Sequence, residues 1–271
     1  LKTSSSPLNF IPARIPLAQS VMNQATTMIH PKQLVAHRGY QAKYPENTAL
    51  SLKKAIEAGA RFIELDVQFS LDQLPIIYHD TDLMRVSGAE LEVAKTTREV
   101  LLGYPAYEPK RLGEQFIEEP ISPLESLVGI LQQNPKVTAF VEIKDESIAH
   151  FGREIITESV LAILKPVMSQ TVIMSFDYQI AIAAREAEWP LVGVVLRNWD
   201  DLDHPLVNQA RPDYIYVDHK IIPADFDLRS APQLANCKLV TYEVGNIALA
   251  KALLDLGVDM LETFEIVELI G

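Results

Sequence analysis

Two apolar segments of the sequence each carry a pair of charged residues two positions apart. Glu64 and Asp66 lie in one segment, and Glu142 and Lys144 lie in the other. Side chains two apart on a β-strand point to the same face, so each pair shares one face of its strand. Carboxylates on an apolar strand are costly to bury unless a cation or a partner compensates them. Three carboxylates with only oxygen ligands predict a site for Mg²⁺ or Ca²⁺ rather than zinc.

Two histidines end other apolar runs of the sequence. His37 is followed at once by Arg38, and His79 ends a short run further along. An imidazole titrates near neutral pH, so the two histidines can serve as a general acid and a general base. Arg38 can hold a phosphate by a bidentate fork, and Lys144 can hold it as a point charge. A salt bridge within the carboxylate segments, such as Lys144 with Glu142, is the structural alternative.

From residue 34 onward, short β-branched runs alternate with longer amphipathic stretches. The predicted strands cover 34–37, 61–68, 137–144, 171–176, 191–196, 214–217, 238–244 and 259–263, and the clearest helices cover 48–58, 123–133, 153–164, 178–187 and 247–256. Eight strands that alternate with helices predict an α/β fold of the (β/α)₈ TIM barrel type, whose active site lies at the carboxyl ends of the strands. An open doubly wound sheet is the alternative, although no G-x-G-x-x-G turn follows the first strand.

One further strand, over residues 74–79, interrupts this alternation. It follows Asp66 too closely for a parallel crossover, so the two strands are expected to form an antiparallel hairpin. A two-residue turn at Asp72-Gln73 would place His79 opposite Asp66. The stretch of about 80–122 is too long for an ordinary loop. It predicts a small insertion near the barrel mouth, either a lid or pocket wall or a surface decoration.

The composition limits the partners of the chain. A net charge of −12 over 271 residues argues against nucleic acid, whose phosphates need a basic surface. A small anionic substrate remains compatible if a bound cation reverses the local field. No apolar run approaches the roughly 20 residues that a membrane span needs, and the single Cys237 excludes an internal disulfide.

The chain is expected to consist of two parts. Residues 1–32 lack a signal-peptide pattern and predict an irregular N-terminal extension. Residues 33–271 predict the barrel, with the insertion at about 80–122. The protein is expected to be cytoplasmic.

Six segments of the sequence form a recognisable ordered set. They are His37-Arg-Gly-Tyr40, Pro45-Glu-Asn-Thr48, Gly59-Ala-Arg-Phe-Ile-Glu-Leu-Asp-Val-Gln68, Pro75-Ile-Ile-Tyr-His-Asp80 with Arg85, Ser122-Pro-Leu-Glu125 and Phe140-Val-Glu-Ile-Lys144. This set resembles the glycerophosphodiester phosphodiesterase family of TIM barrels. The resemblance implies that a metal is held by Glu64, Asp66 and Glu142, that catalysis is by His37 and His79, and that phosphate is contacted by Arg38 and Lys144. It also implies a small extra domain after His79 and hydrolysis of a small-molecule glycerophosphodiester to glycerol 3-phosphate and an alcohol such as choline or ethanolamine.

Two C-terminal segments depart from the pattern of that family. Where many members have Trp-Thr-Val-Asn this chain has Tyr242-Glu-Val-Gly245, and where many have Thr-Asp it has Thr263-Phe264. Glu243 and Glu262 are acidic groups that the common pattern lacks. These departures bear on head-group and glycerol preference rather than on the metal or histidine positions.

Aromatic residues near strand ends are candidate walls of the pocket. They are Phe176, Tyr242 and Phe264, with core packing as the alternative for each. His219 also follows a strand and is a weaker candidate for the mouth.

Other functions fit parts of the same pattern. A lysophospholipase D would use an apolar mouth for a long acyl chain. A non-catalytic barrel that binds phosphodiesters would not need both an acid and a base, so the two histidines argue against it. An aldolase or isomerase is disfavoured because no lysine or thiol stands alone as a nucleophile. The sequence leaves open the choice between Mg²⁺ and Ca²⁺, which histidine is the base, the nucleophile and the oligomeric state.

Overall fold

The barrel is closed by eight parallel strands. The computed structural model describes residues 28–270, so most of the predicted extension at 1–32 lies outside the described residues. The strands are β1 (Leu34–Ala36), β2 (Phe62–Phe69), β3 (Pro75–Ile77), β4 (Ser122–Pro123), β5 (Thr138–Ile143), β6 (Thr171–Met174), β7 (Leu191–Val195), β8 (Tyr214–Asp218), β9 (Lys238–Tyr242) and β10 (Met260–Thr263). All except β3 and β4 run parallel in the order β1-β2-β5-β6-β7-β8-β9-β10, and β10 pairs with β1. The predicted TIM barrel is therefore confirmed.

The helices either cover the outside of the barrel or belong to the segment that follows His79. They are α1 (Ala49–Glu57), α2 (Met84–Ser87), α3 (Arg98–Leu101), α4 (Pro109–Leu112), α5 (Glu125–Gln133), α6 (Asp145–Phe151), α7 (Arg153–Leu164), α8 (Tyr178–Glu186), α9 (Pro205–Ala210), α10 (Ile247–Leu256) and α11 (Ile266–Ile270). The predicted helices match α1, α5, α7, α8 and α10. Thr48 caps α1 by accepting a hydrogen bond from the Ser51 amide, and Gly257 ends α10 at a φ of 110°. These caps explain why the boundaries were visible in the sequence.

The strands separate two apolar layers. One layer packs between the strands and the helices, and the other fills the barrel interior. In the interior, the ring of Phe140 meets the rings of Tyr214 and Tyr216 edge-on, with centroids 4.8 and 5.1 Å apart. Because side chains alternate along a strand, residues two positions after such interior residues also point inward. Glu142 after Phe140 and Glu262 after Met260 thus face the barrel axis.

The β2–β3 hairpin forms as predicted, but its predicted register is wrong by one residue. Val67 pairs with Ile77, and the Tyr78 amide donates to the Asp66 carbonyl at 2.9 Å, so Tyr78 rather than His79 lies opposite Asp66. The turn has three residues instead of two, and its last residue, Gln73, adopts a left-handed φ of 58°. Such a turn closes a three-residue hairpin and shifts the pairing by one.

The segment after His79 builds a small unit of its own beside the mouth. It contains α2, α3 and α4, and it returns to the barrel through β4, which pairs antiparallel with β3. Its apolar side chains, among them Leu83, Val86 and Leu101, pack on Tyr78 of the hairpin in a separate core. Among residues 28–270, no helix has the length and apolar character needed to cross a bilayer.

Candidate active site

A cavity of about 150 Å³ opens at the carboxyl ends of the barrel strands. All seven residues predicted for metal, phosphate or catalysis line it: His37, Arg38, Glu64, Asp66, His79, Glu142 and Lys144. Phe176 and Tyr242 also line this cavity, as predicted for pocket walls. The structure thus brings together residues from β2, β5 and the segments that follow β1 and β3.

Phe264 and His219 do not line this cavity. Phe264 lies just beyond the end of β10, where strand alternation no longer directs its side chain inward. Its ring lines a neighbouring cavity of about 400 Å³ and packs beside Gly245. The structure thus places Phe264 outside the cavity that holds the other candidate residues, and core packing or a wall of the neighbouring cavity accounts for its ring.

Three carboxylates in the cavity are arranged as a cation site. Glu64, Asp66 and Glu142 each offer an oxygen, and these oxygens lie within 4.8 Å of one another. Burial, and after it the charges of Asp66 and Glu262, raises the pKa of Glu64 well above its usual value. Burial also raises the pKa of Glu142. Negative charge in this cluster is therefore incompletely compensated, and an all-oxygen donor set fits a hard divalent cation.

Asp66 is held rigidly within the cluster. Asn47 donates from Nδ2 to Asp66 Oδ2 at 2.9 Å and accepts from the Asp66 amide at 3.1 Å. Arg38 Nε lies 3.0 Å from Asp66 Oδ2, and Lys144 Nζ lies 3.3 Å from Oδ1. Burial raises the pKa of Asp66, but Arg38 and Lys144 outweigh it and hold the pKa below its usual range. Asp66 therefore keeps its negative charge within the cluster.

Arg38 connects the cluster to a second charged group. Its backbone amide donates to Glu64 Oε2 at 3.0 Å, and its Nη1 donates to Glu46 Oε1 at 2.8 Å. The residue adopts a left-handed φ of 52°, which is uncommon for a residue with a long side chain. Arg85 donates to both oxygens of Glu46, at 2.8 and 2.7 Å. The guanidinium of Arg38 is therefore oriented before any substrate arrives.

The two histidines lie in different electrostatic surroundings. His37 is 7% exposed, and burial followed by the charge of Arg38 lowers its pKa to about 3, so its imidazole is neutral. Its Nε2 lies 4.0 Å from Glu64 Oε2. His79 is more exposed, and its Nδ1 lies 2.7 Å from Asp80 Oδ1. Arg85 in turn donates to Asp80, from Nε to Oδ2 at 2.7 Å.

The structure adds residues that sequence reasoning had not placed in the site. Glu262, Glu243 and Tyr216 also line the cavity. Glu262 is buried, whereas the Glu243 side chain is half exposed at the rim, with Oε1 3.8 Å from His37 Nδ1. The alternation of inward residues along β8 and β10 was the signal that could have found Tyr216 and Glu262.

Comparison with known proteins gives a consistent result. The model of the glycerophosphoryl diester phosphodiesterase family matches residues 37–263. Glycerophosphodiester phosphodiesterase 1 of Homo sapiens is 25% identical over 181 residues, which cover 66% of this chain and 53% of that protein. A glycerophosphodiester phosphodiesterase of Bacillus altitudinis is 31% identical over 126 residues, covering 45% of this chain and 49% of that protein. The chain thus spans about half the length of these curated relatives.

A solved structure shows the same fold. It is an Oleispira antarctica phosphodiesterase in complex with the product sn-glycerol-3-phosphate, with a TM-score of 0.74 and 22% identity. The match covers 88% of this chain and 94% of that chain. The family match extends from His37 in the mouth to Thr263 at the end of the last strand. This chain therefore belongs to the glycerophosphoryl diester phosphodiesterase family.

Proposed function

We propose that this chain hydrolyses glycerophosphodiesters to glycerol 3-phosphate and an alcohol, with a divalent cation held by Glu64, Asp66 and Glu142. The observation that carries the proposal is the cluster of these three carboxylates in one cavity with two histidines. Family membership and the glycerol 3-phosphate in the Oleispira antarctica phosphodiesterase support the substrate class.

The charges of the mouth suit a phosphodiester. When bound, Mg²⁺ or Ca²⁺ would polarise a phosphoryl oxygen as a Lewis acid. Arg38 and Lys144 offset the negative charge that builds on the phosphate in the transition state. Both are already positioned by carboxylates, since Arg38 pairs with Glu46 and Lys144 donates to Glu142 at 2.7 Å. Little reorganisation is needed when the substrate binds.

The surroundings of the two histidines support different roles for them within this proposal. His37, a buried neutral imidazole, takes the proton from the nucleophile, which is either water or the neighbouring glycerol hydroxyl. His79 gives a proton to the leaving alcohol. Asp80 accepts a hydrogen bond from Nδ1–H of His79 and orients its ring, as a carboxylate does in a catalytic triad.

Release of glycerol 3-phosphate from glycerophosphocholine tests the proposal. After chelation, we expect no release, and we expect release to return when Mg²⁺ or Ca²⁺ is added. Glu268 is exposed on α11, so Glu268→Gln is a matched control for substitution of a carboxylate in the cluster. Release that is unaffected by chelation would contradict the metal site. Binding of a phosphodiester without turnover under any metal would favour a non-catalytic binding protein.

A lysophospholipase D is the second candidate, because a larger groove adjoins the mouth. This groove has a volume of about 540 Å³ and shares Phe176 with the site cavity. Ile148, Ala149 and Leu206 form an apolar part of its wall that could contact an acyl chain, beside the ion pairs Arg153–Asp177 and Arg197–Asp145. In that case Ala149→Phe would fill the groove and reduce turnover of lysophosphatidylcholine but not of glycerophosphocholine. Equal effects on both substrates would argue against the acyl groove.

A further inference from the structure

Two polar side chains in the site cavity have no role in the proposed chemistry. Glu262 enters the cavity from β10 and Tyr216 enters it from β8, and the two residues are 4% and 1% exposed. Among residues 28–270, neither Glu262 Oε1 nor Tyr216 Oη has a hydrogen-bond partner. Leaving a buried polar atom unpaired is costly, so both atoms are expected to meet a ligand group that enters the cavity.

A metal ion does not fit these two atoms. Glu262 is not a member of the oxygen cluster that Glu64, Asp66 and Glu142 form within 4.8 Å. Burial, and after it Glu262, raises the pKa of Tyr216 well above its ordinary value, so the phenol keeps its proton. A neutral phenol is a poor ligand for a hard cation, which prefers carboxylate, carbonyl and water oxygens.

The charged parts of a glycerophosphodiester do not fit these atoms either. A phosphate would be repelled by Glu262, and Arg38 and Lys144 already provide for it elsewhere in the cavity. A quaternary ammonium group has no hydrogen-bonding atoms, and the ammonium of ethanolamine can donate to Glu262 but cannot accept from the phenol, so either group would leave the Tyr216 O–H unpaired. A hydroxyl group fits both, because it can donate to the carboxyl oxygen and accept from the phenol.

We propose that Glu262 and Tyr216 form a hydroxyl-binding subsite for the polyol part of the substrate. This inference rests on the proposed function and names the residues that determine its specificity. Two sources of hydroxyls share this chemistry, the glycerol of glycerol 3-phosphate and a polyol head group. Both hydrogen bonds would form within a buried cavity, where an unmatched substrate leaves protein groups unpaired and is rejected.

The test compares three substrates in Glu262→Leu and Tyr216→Phe. Glycerophosphocholine has hydroxyls only in its glycerol, glycerophosphoglycerol has them on both sides, and bis(p-nitrophenyl) phosphate has none. For the two glycerol esters we expect kcat/KM to fall about 10- to 100-fold in Glu262→Leu and less in Tyr216→Phe. In the same variant, turnover of bis(p-nitrophenyl) phosphate should fall much less than turnover of the two glycerol esters. Loss with both esters assigns the subsite to the shared glycerol, and loss with glycerophosphoglycerol alone assigns it to the head group.

Glu262→Gln separates hydrogen bonding from charge. Glutamine keeps the shape and can still bond a hydroxyl, so this variant should keep most of the activity that Glu262→Leu loses. An equal loss in both variants, or an equal loss with all three substrates, would overturn the subsite in favour of an electrostatic effect on the carboxylate cluster. No loss in any variant would overturn it as well. Thermal unfolding of each variant shows whether it folds. If Glu262→Leu does not fold, Tyr216→Phe provides the test.

Product binding distinguishes failure of this inference from failure of the proposed function. Calorimetry with Mg²⁺ or Ca²⁺ compares the affinity of the wild type for glycerol 3-phosphate and for inorganic phosphate. A preference for glycerol 3-phosphate that Tyr216→Phe weakens and Glu262→Leu removes supports the subsite even without turnover. Equal affinity for the two ligands in the wild type would overturn a subsite for the glycerol of glycerol 3-phosphate, whether or not the protein hydrolyses phosphodiesters.

Discussion

Buried charge is neutralised in one region of this protein and left incompletely neutralised in the region beside it. The first region, which we call the arginine network, surrounds Glu46 where the inserted unit meets the barrel. Glu46 accepts hydrogen bonds from Arg38, Arg85 and Gln41 at 2.7–2.9 Å. Its backbone amide donates to Glu108 Oε2 at 2.8 Å. Burial alone would raise the pKa of Glu46, but Arg85 and Arg38 outweigh it and lower the pKa to about 2.

The barrel mouth shows the opposite balance. Burial raises the pKa values of Glu64, Glu142 and Glu262, and the carboxylates raise one another further. The two cations of the mouth, Arg38 and Lys144, compensate only part of this charge. The difference teaches that the arginine network maintains the geometry of the site, whereas the mouth keeps charge available for a ligand.

The largest expected effect comes from removing a charge in the mouth. In Glu64→Gln we expect kcat/KM for glycerophosphocholine to fall about 10³-fold or more, because a proposed metal ligand is lost. The metal-free variant should nevertheless be more stable than the metal-free wild type, since burial and neighbouring carboxylates disfavour the Glu64 charge. Activity assays and chemical unfolding with chelator measure the two effects. A variant that is less stable than the metal-free wild type would contradict the conclusion that charge in the mouth is incompletely neutralised.

Loss of the proposed general acid should have an effect of similar or smaller size. We expect His79→Ala to reduce turnover by about 10²–10⁴-fold, the range typical of general acid–base catalysis. A substrate with a p-nitrophenol leaving group needs little protonation, so its turnover should be affected much less. In His79→Ala, equal losses for the p-nitrophenyl and choline esters would contradict the role of His79 as the acid. His37→Ala is the comparison variant, and it should impair turnover of both substrates.

A substitution in the arginine network should affect stability more than chemistry. Glu46→Gln removes the carboxylate that Arg38 and Arg85 share, while Asp66 still pairs with Arg38 and Asp80 with Arg85. We expect the unfolding free energy to fall by about 3 kcal/mol near neutral pH. Because the folded-state pKa of Glu46 is lowered to about 2, its contribution is complete above about pH 4.5 and is lost as pH falls toward 2. Unfolding curves of wild type and variant should therefore converge at low pH. A constant difference across that range would contradict this account.

The smallest effect is expected where the two regions meet. Asp80 is bonded to His79 on one side and to Arg85 on the other. Asp80→Asn should reduce turnover about 10- to 100-fold through loss of histidine orientation, with little change in stability because the carboxylate is partly exposed. Asp82→Asn is a matched control, since Asp82 lies nearby and its side chain accepts from the Met84 amide rather than from a histidine or arginine of the site. If Asp80→Asn lost as much stability as Glu46→Gln, Asp80 would belong to the arginine network rather than serve to orient His79.

Much of the site could be predicted from strand alternation and strand ends. Glu64 with Asp66 and Glu142 with Lys144 were recognisable because polar residues two apart in an apolar strand share a face. Tyr216 was missed because the pattern of a single tyrosine in an apolar strand predicts a core residue. Asn47 and Glu46 were visible only as part of a motif, since their partners Asp66 and Arg85 lie 19 and 39 residues away.

The sequence by itself determined the barrel, the inward faces of its strands and the charged groups at their carboxyl ends, because periodicity and caps are local properties. Only the tertiary structure decided the hairpin register, since the backbone of the turn at Gln73 set it. Closure of the barrel between β1 and β10 decided that Glu262 shares a cavity with Glu64. Which strand ends face one another across a barrel depends on the pairing of all eight strands, and no local pattern encodes it.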